Sequence, residues 1–151
     1  MPAMTPSYMY TFFALLVISS ILTVTFMDYA GVIRFSSEMR GLKNLTYRVA
    51  AKATELIALT EAENSTAETI IQTPASIGGK QYWLRFRNDS SRAWVEGGLG
   101  NVPVENSQIK IYLPAGIKAS GFHVSGYGVI RLECRVNCGN TEITLSSLGG
   151  T

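Results

Sequence analysis

The sequence predicts an α+β protein, with one long N-terminal α-helix followed by a small antiparallel β-sandwich-like domain. Three observations carry that reading. Residues 1–27 hold no charged side chain, and Tyr8–Met27 runs without a charge, Gly or Pro. From Asp28 to about Glu63 there is no Pro, and apolar residues recur at helical spacing. After the polar break Glu63-Asn64-Ser65-Thr66, short alternating runs separated by Gly, Pro and Asn turns continue to the end. The expected division is therefore a helix over residues 1–63, apolar over 8–27 and amphipathic over 28–63, and a β domain over 64–151. A length of 151 residues suits one domain plus one extended element. With 46% hydrophobic and only 16% charged residues, the chain is no disordered tail.

The first segment has the length, about 20 residues, that a helix needs to span a bilayer. A cleaved signal peptide would need a basic start and a small-residue cleavage site, and no Lys or Arg precedes Tyr8. Its apolar side chains Phe12, Phe13, Leu15, Leu16, Val17, Ile18, Ile21, Leu22, Val24 and Phe26 are candidates for a helix-bundle core. Beyond it, Val32, Phe35, Met39, Leu42, Thr46, Val49, Ala53 and Leu56 are spaced three and four apart. That is the seam of a helix packing along another helix, or lying on its own domain. The two segments read as one helix from about Ser7 to Glu61, on the order of 80 Å long. A bilayer core covers only about 30 Å of it.

In the β region, Gln81–Arg87 alternates, with Tyr82, Leu84 and Phe86 on one face and Trp83, Arg85 and Arg87 on the other. Asn88–Ser91 reads as a turn, Arg92–Glu96 as a strand, and Gln108–Leu113 as a further alternating strand before Pro114-Ala115-Gly116. Short strands follow near Ile117–Ala119, Phe122–Ser125, Val129–Arg135 and Thr141–Ser146. Strands this close, with no helix between them, argue for antiparallel pairing and a small sandwich.

The charge pattern and the sequons pull the location in opposite directions. Arg34, Arg40, Lys43, Arg48 and Lys52 follow the apolar run against Asp28 and Glu38, which by the positive-inside rule puts this side in the cytoplasm. Three N-x-S/T sequons, at Asn44, Asn64 and Asn88, put it outside. Cys134 and Cys138, the only cysteines, suit a small disulfide loop around Arg135-Val136-Asn137 in an oxidising compartment; two free buried thiols are the alternative. The conflict dissolves if the chain is a processed product whose basic leader has been removed.

Catalytic signals are weak. Gly121, Gly126 and Gly128 lie among turns, and no G-x-G-x-x-G opens a helix. His123, the single histidine, lacks the partners of a metal site, and Glu96, Glu105, Glu133 and Glu142 are scattered. With 13 basic against 11 acidic residues, no nucleic-acid-binding stripe is expected. Trp83, Arg85 and Arg87 suggest a sugar or acidic-surface contact, or more simply a solvated or interfacial strand face. The expectation is a protein without enzymatic activity, cofactor, metal or small-molecule substrate.

An uncharged apolar N-terminus continuing into a long helix and then a β domain resembles the type IV pilins, in particular those of archaea. The segment Thr73-Pro74-Ala75-Ser76-Ile77-Gly78-Gly79-Lys80-Gln81-Tyr82-Trp83-Leu84 is similar to a pattern found after the helix in archaeal pilin-like proteins. Thr5 stands where bacterial pilins carry a Glu, a departure that archaeal members tolerate. The resemblance implies a subunit that is membrane-inserted before assembly and then joins an extracellular, glycosylated filament at the cell surface. In it, identical subunits bundle their N-terminal helices into a helical polymer that serves adhesion. The alternative with the same topology is a single-pass anchor carrying an extracellular β domain, or a minor pilin. On either reading, a fragment beginning near Thr66 is expected to fold alone.

Overall fold

The computed structural model describes residues 5–105, 107, 109–126 and 128–149. Residues 1–4, Gln108, Gly150 and Thr151, which the sequence reading assigns to the helix, a strand and the β domain, lie outside these. One helix, α1 (Thr5–Glu63), precedes seven strands: β1 (Ala67–Ile71), β2 (Tyr82–Asn88), β3 (Ala93–Leu99), β4 (Ile109–Tyr112), β5 (Ile117–Val124), β6 (Val129–Asn137) and β7 (Asn140–Leu148). The α+β class is as the sequence predicts. The helix ends at the polar break, where Asn64 takes a left-handed conformation (φ 47°) that asparagine tolerates. The chain divides into two units, Met1–Ser37 and Glu38–Thr151.

In the first unit, every described side chain from Pro6 to Ser37 is exposed. The second unit has a core of its own. Its strands hydrogen-bond in the single order β1-β6-β7-β5-β2-β3-β4. All pairs are antiparallel except β5 with β7, which run parallel. The layering thus differs in detail from two packed sheets, because the apolar stripe of α1 supplies the facing layer. Leu42, Leu45, Val49, Ala53, Leu56 and Ile57 share one core with Leu84, Phe86, Val95, Ile130, Leu132, Ile143 and Leu145. Each large side chain buried there contributes about 1.5–3 kcal/mol. Thr46 and Thr60 sit in the same stripe because their hydroxyls donate to the carbonyls of Leu42 and Leu56 at 2.8 and 2.7 Å.

Strand β5 changes partner along its length. Ile117–Gly121 pairs with β7, while Phe122–Val124 pairs with β2. The change falls at Gly121, whose φ of 117° and close approach to Leu145 leave no room for a side chain: a Cβ there would lie 2.1 Å from the Leu145 carbonyl oxygen. The β6–β7 hairpin closes through Cys138 and Gly139, both at positive φ (50° and 82°), the pattern of a two-residue type I′ turn.

The Pro74–Leu84 segment is knitted together and onto the helix. Ile77 and Lys80 exchange backbone hydrogen bonds at 3.0 Å around Gly78 and Gly79. Gly78 has φ 60°, and a Cβ on it would stand 2.5 Å from Glu38 Cγ. Lys80 Nζ donates to Glu38 Oε2 at 2.7 Å, and Ile77 packs where helical Gly41 leaves space. The Tyr82 hydroxyl returns to donate to the Pro74 carbonyl at 2.6 Å.

Candidate functional site

The feature most in need of a partner is the first unit's helix surface. An α-helix that is apolar on all sides cannot satisfy itself against one neighbour; it needs a surround, either lipid or other helices. Phe12, Phe13, Leu15, Leu16, Val17, Ile18, Ile21, Leu22, Val24, Phe26, Val32 and Phe35 are all between 47% and 70% exposed. By length and composition this part of α1 can cross a membrane, and none of that stretch is buried. Tyr8 and Tyr10 bracket the run at one end and Tyr29 at the other, all exposed. At 1.5 Å per residue, Tyr10 and Tyr29 stand about 28 Å apart along the axis, close to the thickness of a bilayer's hydrocarbon core.

Four of the hydroxyl side chains in this run are satisfied within the helix. Thr11, Ser20, Thr23 and Thr25 donate to the carbonyls of Ser7, Leu16, Ser19 and Ile21 at 2.8–3.0 Å. An apolar surround therefore meets no unpaired hydroxyl from them.

The other residues of the predicted assembly seam lie elsewhere. Leu42, Val49 and Leu56 are buried in the core of their own unit, and Met39 packs partly against it. The three-four spacing is continuous through residues 32–56, but from Met39 onward its facing layer is the chain's own sheet. Sequence periodicity alone cannot tell a sheet from a second helix. Conversely, Tyr29 and Ile33 are exposed apolar residues off the seam. They lie past the uncharged run, where the three-four spacing gives no signal for them.

The expected Cys134–Cys138 disulfide is absent, and both thiols are free. Residues 135–137 are part of β6 rather than a loop. The three strand steps from Cys134 to Asn137 alone span about 10 Å and the turn carries Cys138 onward, against a limit of about 7 Å between Cα atoms for a bridge. Cys134 points into the core, where burial pushes its thiol pKa up, and Cys138 is exposed at the turn.

Asn44, Asn64 and Asn88 are all exposed. Asn44 lies on α1, Asn64 just past its end, and Asn88 at the end of β2, before a turn that Asp89 Oδ1 ties by accepting from the Ser91 and Arg92 amides. Those bonds hold the Asp89 carboxyl below its usual range.

On the strand face of Trp83, Arg85 and Arg87, only Arg87 is exposed. Trp83 is 1% exposed, its indole lying over Gly98 on β3. Glu96, fully buried, accepts from Arg85 Nε at 2.7 Å. Arg85 Nη2 is 2.6 Å from the same oxygen without a hydrogen-bonding angle, and Arg87 is 3.7 Å away. Lys110 stands over Trp94 and Arg92 over Tyr112. His123, on β5, is buried, with Nδ1 2.7 Å from the Ser147 hydroxyl and its ring beside Tyr82. Burial lowers its pKa. Among the described residues, no three His, Cys, Asp or Glu side chains come together as a metal site would require.

Among the described residues, the apolar helix of the first unit is the extended surface left without cover. Comparison with protein-family models, with curated proteins and with solved structures finds no match for the chain.

Proposed function

We propose that this chain is the structural subunit of a type IV pilus-like filament of the archaeal kind, without enzymatic activity or cofactor. The observation that carries the reading is the helix surface from Tyr8 to Met27, uncharged, apolar on every side and exposed throughout, in a first unit followed by one with its own core. In a membrane, lipid covers that surface. On assembly the same segments of other subunits replace lipid, an exchange between similarly apolar surrounds in which packing decides the balance. Once outside the membrane, dissociation would expose each large side chain to water at about 1.5–3 kcal/mol, so the polymer persists. A heterologous contact between identical copies propagates as an open helical array. The β domains then form the outer sheath at the cell surface, with sugar on the exposed sequon asparagines and a role in adhesion.

The second reading is a single-pass membrane anchor with an extracellular β domain. The Tyr10–Tyr29 spacing, which matches one bilayer, favours it. Electron microscopy of material sheared from cells producing the chain separates the two. Filaments containing the chain support the first. Protein that remains in the membrane fraction, with no filament sheared off, rejects the polymer and leaves the anchor.

A further inference from the structure

Residues 1–37 contain one acidic and one basic side chain, Asp28 and Arg34, in an otherwise uncharged segment. Both are exposed, and neither takes part in an ion pair among the described residues. They cannot pair with each other on one helix. Helix neighbours are three or four residues apart, whereas these are six apart, which turns them about 120° from one another around the axis. Their helix neighbours three and four residues away are Val24, Thr25, Gly31 and Val32 for Asp28, and Ala30, Gly31, Ser37 and Glu38 for Arg34, with exposed Tyr29, Ile33 and Phe35 beside them in sequence. If copies of this helix pack side by side, an isolated carboxylate and an isolated guanidinium enter a low-dielectric bundle, where each is costly unless it meets its opposite.

The acids available on the helix are few. Before Glu55 the only other one is Glu38, which is nearly buried and already held by Lys80 at 2.7 Å. Arg40, Lys43 and Arg48 belong to the second unit and are exposed to solvent there, so they carry no comparable need.

We propose that Asp28 of one copy pairs with Arg34 of the next, and that this pair sets the axial offset between packed helices. The inference rests on the filament reading above. Level pairing of the two residues displaces parallel helices by six residues, about 9 Å along the axis. The angular separation of the two groups sets the kind of assembly. Because they point about 120° apart, a copy offers Asp28 to one neighbour and Arg34 to another. Such a contact is head-to-tail and does not close into a two-fold dimer, so it propagates. The pair also selects against wrong registers, since any other offset buries both charges alone.

The test is a charge-reversal cycle in the full chain, read as filament yield in sheared material. Asp28→Arg alone and Arg34→Asp alone are each expected to lower the yield about tenfold or more, through like charges facing each other. The double variant Asp28→Arg/Arg34→Asp restores the opposite pair and is expected to recover the yield to within about threefold of the unaltered chain. A second readout uses Asp28→Cys/Arg34→Cys in a Cys138→Ser background, where mild oxidation should produce a ladder of covalent multimers. Abundant filaments from both single variants, or a double variant as poor as the singles, overturn the pair and leave the filament standing. No filaments from the unaltered chain overturn both.

Discussion

At the scale of single residues, the glycines and the cysteines carry most of the local information. Gly121 and Gly139 share a positive φ, yet only Gly121 faces a backbone carbonyl, while nothing lies within 4 Å of a Cβ at Gly139. Gly121→Val should cost about 3 kcal/mol or more, whereas Gly139→Ala should cost about 1–2 kcal/mol, from left-handed strain alone. Thermal or urea unfolding of the second unit measures both. The cysteines make a separate prediction. Cys138 should alkylate in the native protein and Cys134 only after denaturation, giving one and then two adducts by intact mass. A native protein that takes none would restore the bridge. The spacing of these cysteines was legible in the sequence, but the hairpin register was not. That register depends on whether the turn is centred on Val136 or on Cys138-Gly139, and the cross-strand pairing that settles it is a tertiary property. Trp83 shows a related limit: alternation marks two faces but not which of them neighbours will cover. His123 links burial to pH. Its folded pKa lies below the unfolded value of about 6.5, so both states are neutral at higher pH and the group is silent there. As pH falls below about 6.5, the unfolded chain takes up the proton first and stability drops. His123→Gln should flatten that decline in a series of melting curves across pH 7 to 5.

At the scale of elements, α1 carries two different surfaces on one continuous backbone. Its existence, its apolar first half and its termination at Asn64 were all legible, because charge, proline and periodicity are local properties. The partner of its second half was not. The buried stripe from Leu42 to Ile57 is part of the same core as the sheet, so the smallest self-sufficient piece begins near Glu38 rather than Thr66. A chain of residues 38–151 should be soluble, folded and monomeric by circular dichroism and size exclusion. A chain of residues 66–151 should expose Leu84, Phe86, Val95, Leu132 and Ile143 and should aggregate or remain unfolded. A compact monomer from 66–151 would show that the helix stripe is dispensable. The parallel β5–β7 pair was equally out of reach, since it arises from a change of partner at one glycine in mid-strand. By contrast, the Ile77–Lys80 turn had a visible signal in its paired glycines; the structure adds the docking against Glu38 that leaves no room for a Cβ at Gly78, while Gly79 answers only to its φ of 77°.

At the scale of the whole molecule, the helix surface that most needs a partner was legible from composition, because a run with no charge over Tyr8–Met27 requires a surround whatever its fold. Ile18→Asp places an unpaired carboxylate at the middle of that run, at a cost of several kcal/mol repeated in every subunit. Filaments should vanish from sheared material while the unit from Glu38 onward keeps its circular dichroism and melting temperature. Normal filaments from this variant would remove the helix from the assembly. The hydroxyls of Thr11, Ser20, Thr23 and Thr25, each spent on its own helix's carbonyls, have a mechanical consequence. Over Tyr8–Met27 a bundle of such helices has few directional bonds across its contacts and is held mainly by dispersion between side chains of similar shape, so the proposed Asp28–Arg34 pair alone returns it to register. Dispersion resists separation far more than it resists shear, because a helix that slides or rolls exchanges one set of apolar contacts for another. A fibre built this way should stretch under load and recover, with its elasticity residing in the core rather than in the domains that surround it.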